Sequence, residues 1–114
     1  LVKEVIKERV GSSFISDLSI EDIVRKVSDV SKVPENEITG KSRKMELVEA
    51  RQISMYLCRD IMGTSLNNIG IYFGGRDHTT VMHAVKTIKK KKTKDVRLNR
   101  MVESLKQELD FSFM

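Results

Sequence analysis

The sequence has little to offer covalent or membrane chemistry. It holds a single cysteine, Cys58, so no internal disulfide can form, which fits a reducing cytoplasm. It has one proline, and 39% of its residues are apolar, a balance that suits a compact helical domain and argues against a disordered chain. No apolar run is long enough to cross a bilayer. The chain opens on Leu1, with no charged-then-apolar leader, and so reads as a C-terminal piece of something larger. Strand signals are nearly absent, with few alternating β-branched runs and no Asn-Gly or Asp-Gly hairpin. The length of 114 residues is enough for one domain around one core.

Catalytic constellations are missing too. Gly40-Lys41-Ser42 has the ending of a phosphate-binding loop, but Glu35 stands where the first glycine of that loop belongs, and no strand signal precedes it. His78 and His83 are five residues apart and no glutamate follows His78, so the helical zinc motif does not form. Cys58 has no partner in the sequence that would make it a nucleophile and reads as core. The residues predict a non-enzymatic chain without a metal or cofactor.

Positive charge is what the sequence does have, and it is concentrated. Residues 38–100 carry 14 basic and 5 acidic groups, net +9, whereas residues 1–37 and 101–114 are each net −2. A polyanion partner is the simple physical reading, because every phosphate neutralised releases condensed counterions. A solvated lysine-rich face, with Lys89–Lys92 as its densest run, explains the same charge equally well.

Helical periodicity accounts for most of the chain. Val2, Val5, Ile6 and Val10 share one side of a short amphipathic start that Gly11, Ser12 and Ser13 break. Ser19 and Asp22 have capping-box spacing ahead of a helix with Ile20, Ile23, Val24, Val27 and Val30. Pro34 begins a turn flanked by the core plugs Val33 and Ile38, and a basic loop follows over 39–44. A long helix from about Leu47 to Met62 is apolar on more than one side and is therefore expected at the centre. Gly63 ends it, and Thr64 or Ser65 caps a short helix over Leu66–Phe73. Gly74 and Gly75 precede a helix that starts at Asp77 and buries Val81, Ala84, Val85 and Ile88. The last helix spans about Asp95–Leu109, with Val96, Leu98, Met101, Val102, Leu105 and Leu109 apolar.

A short helix, a glycine turn and a second helix make a helix-turn-helix. Such a unit needs polar side chains at the head of its second helix to reach base edges in the major groove. Asp77, His78, Thr79 and Thr80 stand there, ahead of the core stripe that begins at Val81. A carboxylate can accept from cytosine N4 and a threonine methyl can pack on thymine. Taken without wider context, the plainer reading of Asp77 as a helix cap and of the threonines as surface has precedence. His83, Lys86 and Lys90 continue the same face and suit phosphate contacts, or simply a wet face. Arg51, Gln52 and Arg59 are expected to project from the long helix toward phosphate, and Lys41, Arg43 and Lys44 suit an arm reaching a neighbouring minor groove.

The run Ser-Leu-Asn-Asn-Ile-Gly-Ile-Tyr-Phe-Gly-Gly-Arg-Asp-His-Thr-Thr-Val-Met-His-Ala at 65–84 resembles the signature of the DnaA family of bacterial replication initiators, in its C-terminal DNA-binding domain. The core from Gly74 to Val81 is highly specific, and Gly40–Arg43 and Ala50–Leu57 also look like that family. The resemblance covers 19–109. It implies an all-α, Trp-repressor-like bundle with a helix-turn-helix over 19–114, and it makes residues 1–18 the end of a preceding ATPase domain and its connecting helix.

By matching positions, the resemblance implies double-stranded DNA as partner, at origin boxes that begin TTAT and end CACA. Arg43 would enter the minor groove at the A·T-rich end, and Asp77, His78 and Thr79 would read bases. Lys41, Lys44, Arg51, Gln52, Leu66, Asn67, Thr80, His83 and Lys86 would hold phosphates or position the duplex. Arg76 would orient the turn. No cofactor is implied for this stretch, since ATP belongs to the full-length protein. A cytoplasmic, nucleoid-associated monomer is implied, with acidic phospholipid as a further partner of the N-terminal segment. The chain departs from the family at Asn67, where proline is common, at Met45, where a second basic residue is common, and at Thr87, where lysine is frequent, while Glu46 and Glu49 add negative charge beside the loop. A transcription regulator of the same architecture and a membrane-surface module are the competing readings.

Overall fold

A computed structural model of the chain describes residues 18–112. The expected amphipathic start over 1–10 and the phospholipid-contacting segment lie outside the described residues. Six helices follow one another: α1 (Ile20–Ser31), α2 (Glu35–Ile38), α3 (Met45–Met62), α4 (Leu66–Tyr72), α5 (His78–Lys92) and α6 (Val96–Ser112). Among the described residues there is no strand, and none of the helices is long and apolar enough to cross a membrane. The fold is the all-helical bundle expected, and α4–turn–α5 is its helix-turn-helix.

Local chemistry sets most helix starts. The Ser19 hydroxyl accepts from the Asp22 N–H while the Asp22 carboxylate accepts from the Ser19 N–H, a complete capping box. The Ser65 hydroxyl accepts from the Asn68 N–H at the head of α4. Asp95 accepts from the Leu98 N–H at 3.1 Å and so caps α6. Helix α3 starts at Met45, two residues earlier than the apolar pattern suggests, and ends at Gly63, which takes the left-handed conformation (φ 66°).

Helix α3 is the axis of the core and packs on all five other helices. Leu47, Ala50, Ile53, Met55, Tyr56, Leu57 and Cys58 are buried on it, spread over most of its circumference. Against it lie Ile23, Val24 and Val27 of α1, Ile38 of α2, Ile69 of α4, Val81, Ala84 and Ile88 of α5, and Leu98, Val102, Leu105 and Leu109 of α6. Two apolar residues depart from the expected stripes, Val30 at 41% and Val96 at 64% exposure. The buried residues of α6 follow spacings of four, three and four from Leu98, and Val96 falls off that line, facing outward.

Candidate nucleic-acid interface

The turn between α4 and α5 is built by three glycines and an arginine. The Gly70 carbonyl, still inside α4, accepts from the N–H groups of both Gly75 (3.0 Å) and Arg76 (2.9 Å). This folds the chain back so tightly that a Cβ on Gly70 would lie 2.0 Å from the Arg76 carbonyl oxygen, well inside van der Waals contact. Gly74 and Gly75 then turn through φ 85° and 77°, a region that residues with a side chain disfavour. Phe73, fully buried, anchors the turn in the core, with its ring 5.4 Å from that of Tyr72 in an edge-on pair.

Helix α5 emerges from this turn with its first residues free of any packing duty. Asp77, His78, Thr79 and Thr80 are all exposed, and burial begins at Val81. Asp77 is the N-cap, its Oδ1 accepting from the Thr80 N–H at 3.0 Å. That hydrogen bond is the main reason its carboxyl titrates below the ordinary range. Capping and display toward solvent therefore coincide at Asp77. His83 and Lys86 are also exposed, three and six residues beyond Thr80, so the outer face of α5 stays polar past its first turn.

Residues of α4 and α3 gather beside the head of α5. His78 lines a surface hollow with Ser65, Leu66, Asn67 and Arg59. Asn67 is exposed there, whereas Leu66 is half-buried and packs against the core. Arg59 donates to the Thr64 carbonyl at 3.0 Å, which holds its guanidinium near that hollow. Gln52 faces a different hollow, lined by Met45, Glu46, Val48, Glu49 and Lys91, where Glu49 is paired with Arg97.

The basic loop carries Lys41, Arg43 and Lys44, all exposed. Arg51 does not project toward phosphate as expected from the sequence. It is 6% exposed, and its guanidinium is taken up by three main-chain carbonyls at the base of the loop. Its Nε donates to Ile38 O (2.7 Å), Nη1 to Ser42 O (3.0 Å) and Nη2 to Glu37 O (3.1 Å). The physical reason lies in its place on α3: Arg51 falls between Leu47 and Ser54, on the buried stripe. Burial first, then the nearby charge of Arg76, pull Arg51 below the usual guanidinium value. Arg76 itself reaches across from the turn. Its Nη2 donates to the Gly40 carbonyl at 2.8 Å and its Nη1 to the Phe73 carbonyl. It orients the turn, as expected, and does so by gripping the loop.

The need for a glycine at position 70 has no counterpart in the sequence reading. Its signal was a glycine inside a helical pattern, four residues ahead of a glycine pair, a placement that marks close backbone approach. Among the described residues, no group of three or more His, Cys, Asp or Glu is placed to hold a metal ion.

Comparison with known proteins follows the same segment. The bacterial DnaA protein helix-turn-helix family matches residues 20–88. The chain is 39% identical over 97 residues to the chromosomal replication initiator protein DnaA of Chlorobaculum tepidum, covering 85% of this chain and 20% of that protein. It is 39% identical over 109 residues to the DnaA of Dechloromonas aromatica, covering 96% of this chain and 23% of the relative. It is 43% identical over 93 residues to that of Ruegeria pomeroyi, 82% of this chain and 20% of the relative. The chain thus spans about a fifth of the length of these relatives. Among solved structures, the crystal structure of a DNA replication initiation factor superposes with a TM-score of 0.76 at 29% identity, over 90% of this chain and 31% of that one.

Proposed function

The chain belongs to the bacterial DnaA family through its helix-turn-helix region, and on that premise we propose that it binds double-stranded DNA sequence-specifically at boxes of a replication origin. The observation that carries this reading is the head of α5, where four polar residues stand exposed on a helix whose every core contact begins later. Asp77, His78 and Thr79 read base edges in the major groove. Thr80, His83 and Lys86 contact phosphates on the same helix, while Leu66 and Asn67 border the groove beside His78. Arg43 enters the adjacent minor groove from the basic loop, flanked by Lys41 and Lys44. Gln52 touches backbone from α3. Arg51, given its three carbonyl partners, acts by shaping the loop and not as a phosphate ligand.

Residues 19–114 form the DNA-binding domain on this reading, and residues 1–18 belong to what precedes it. The isolated domain works as a monomer, one domain to one box, in the cytoplasm at the nucleoid. It performs no catalysis.

Fluorescence anisotropy with a labelled TTAT…CACA duplex and its scramble, across a salt series, tests the proposal. A preference of roughly a thousandfold or more for the box is expected, the range that separates specific from non-specific binding. Equal binding to both duplexes with a steep salt slope would reduce the chain to a generic polyanion binder.

A further inference from the structure

We propose that Arg76 and Arg51 are positioning residues that lock the basic loop over 39–44 to the head of α5, so that the minor-groove and major-groove readers meet DNA as one rigid unit. The inference rests on the origin-box reading and adds to it the device that sets the offset between the two readers.

Three observations carry it. First, the loop and the turn are 36 residues apart in sequence, and the single guanidinium of Arg76 joins them by donating to Gly40 O on one side and to Phe73 O on the other. Second, the two backbones abut: a Cβ on Gly74 would lie 3.2 Å from the Thr39 carbonyl oxygen and 3.2 Å from Arg76 Nη1. Third, Arg51 grips the loop from α3 at two places, at Glu37 and Ile38 just before it and at Ser42 inside it. Arg43 therefore sits next to a residue whose carbonyl is fixed to α3, and three residues after one whose carbonyl is fixed to the turn.

The chemistry of the clamp is specific. Among the described residues, neither guanidinium has a carboxylate within ion-pairing distance, so both spend their donors on neutral carbonyls. Their positive charge stays uncompensated beneath Lys41, Arg43 and Lys44. A clamp made of carboxylates would cancel the field that draws in the duplex, whereas this one reinforces it. A planar fork is needed to span two carbonyls in different directions, and a lysine ammonium of equal charge cannot reproduce that geometry.

Arg76→Lys isolates the clamp from the charge. Three duplexes are titrated: the box, the box with its A·T end replaced by G·C pairs, and the scramble. The unmodified chain should favour the intact A·T end by about 5- to 100-fold, the worth of one good groove contact. Arg76→Lys should cut that end preference to within about twofold, as Arg43→Ala should, and the double variant should lose nothing further, since coupled residues are not additive. Preference for the CACA end over scramble should persist. Retention of the A·T-end preference in Arg76→Lys, or a loss shared equally by all three duplexes, overturns the clamp. A chain that fails to tell box from scramble before any substitution overturns the origin-box reading itself, and the clamp with it.

Backbone order in the free protein is a second, DNA-independent readout. NMR order parameters for 40–43 should approach those of rigid backbone, about 0.85, and fall below about 0.6 in Arg76→Lys. Equal order in both proteins overturns the proposal. Should Arg76→Lys fail to fold, Arg76→Gln, which can reach one carbonyl at most, replaces it in both measurements.

Discussion

Asp77 does two things with one carboxylate, and the two can be separated. As N-cap it receives the Thr80 N–H, and standing just ahead of His78 it is exposed to whatever the head of α5 meets. Asparagine caps helices as well as aspartate does, but it presents a donor beside its acceptor. Asp77→Asn should therefore keep the melting temperature and change the base preferred opposite this position, whereas Asp77→Ala should lower both stability and discrimination. Calorimetry alongside a panel of single-base box variants checks this, and an Asn variant with unaltered preference would leave Asp77 a cap only. The pH dependence has a defined sign. The carboxyl titrates below its ordinary value of 3.8 in the folded chain, so its stabilising contribution is complete above that value and fades as pH falls through the lowered one. Urea midpoints of Asp77→Ala and the unmodified chain should accordingly converge in acid.

Cys58 shows the opposite influence of environment. It is fully buried on α3, and burial pushes its thiol up to about 12. The folded chain should resist a thiol reagent at pH 8 and release one equivalent of reactive thiol only in denaturant. Rapid labelling without denaturant would contradict that burial. The burial of Cys58 was legible from its lack of any partner residue that would make it a nucleophile. The inward turn of Arg51 was not, because charge argued for projection while the spacing from Leu47 to Ser54 argued for burial, and packing prevailed.

At the scale of elements, glycine substitution reverses its usual sign. Replacing a mid-helix glycine by alanine ordinarily stabilises by about 1 kcal/mol. At Gly70 the new methyl would meet the Arg76 carbonyl at 2.0 Å, so the turn must open. Gly70→Ala should lower the melting temperature and abolish box preference while most helical circular dichroism remains. A variant as stable and as selective as the parent would show that the turn tolerates a shift. The five longer helices and their order could be read from periodicity and caps, since Ser19, Ser65 and Asp77 each sit where a side-chain acceptor satisfies an orphan N–H, whereas α2 reads in the sequence only as a turn after Pro34 because four residues carry no period. The ends were less legible. Helix α3 gains a turn's start at Met45 although Lys44 offers no side-chain cap, and α6 continues to Ser112, three residues past its last apolar anchor. Stretches of two or three residues at helix ends are too short to carry a period that a sequence pattern can detect.

Across the whole molecule, the buried core and the exposed outer face of α5 fall on different residues. Leu57 is fully buried on the central helix, and Leu57→Ala should cost about 2–5 kcal/mol through lost burial and the cavity left behind. His83→Ala and Lys86→Ala, both on the exposed face of α5, should leave stability within about 0.5 kcal/mol. Lys86→Ala should also weaken binding to box and scramble alike and reduce the slope of log affinity against log salt by about 1. A salt slope unchanged by Lys86→Ala would remove it from the phosphate contacts.

The bond from Arg76 to the Gly40 carbonyl has a consequence for the DNA itself. Calipers with a locked jaw do not adjust to the object, so the object must fit them. On the proposed clamp, which fixes the separation of the two readers, any mismatch in groove spacing falls to twist and bend in the duplex. Base pairs lying between the two contact points, touched by no side chain, then influence affinity through their stiffness alone.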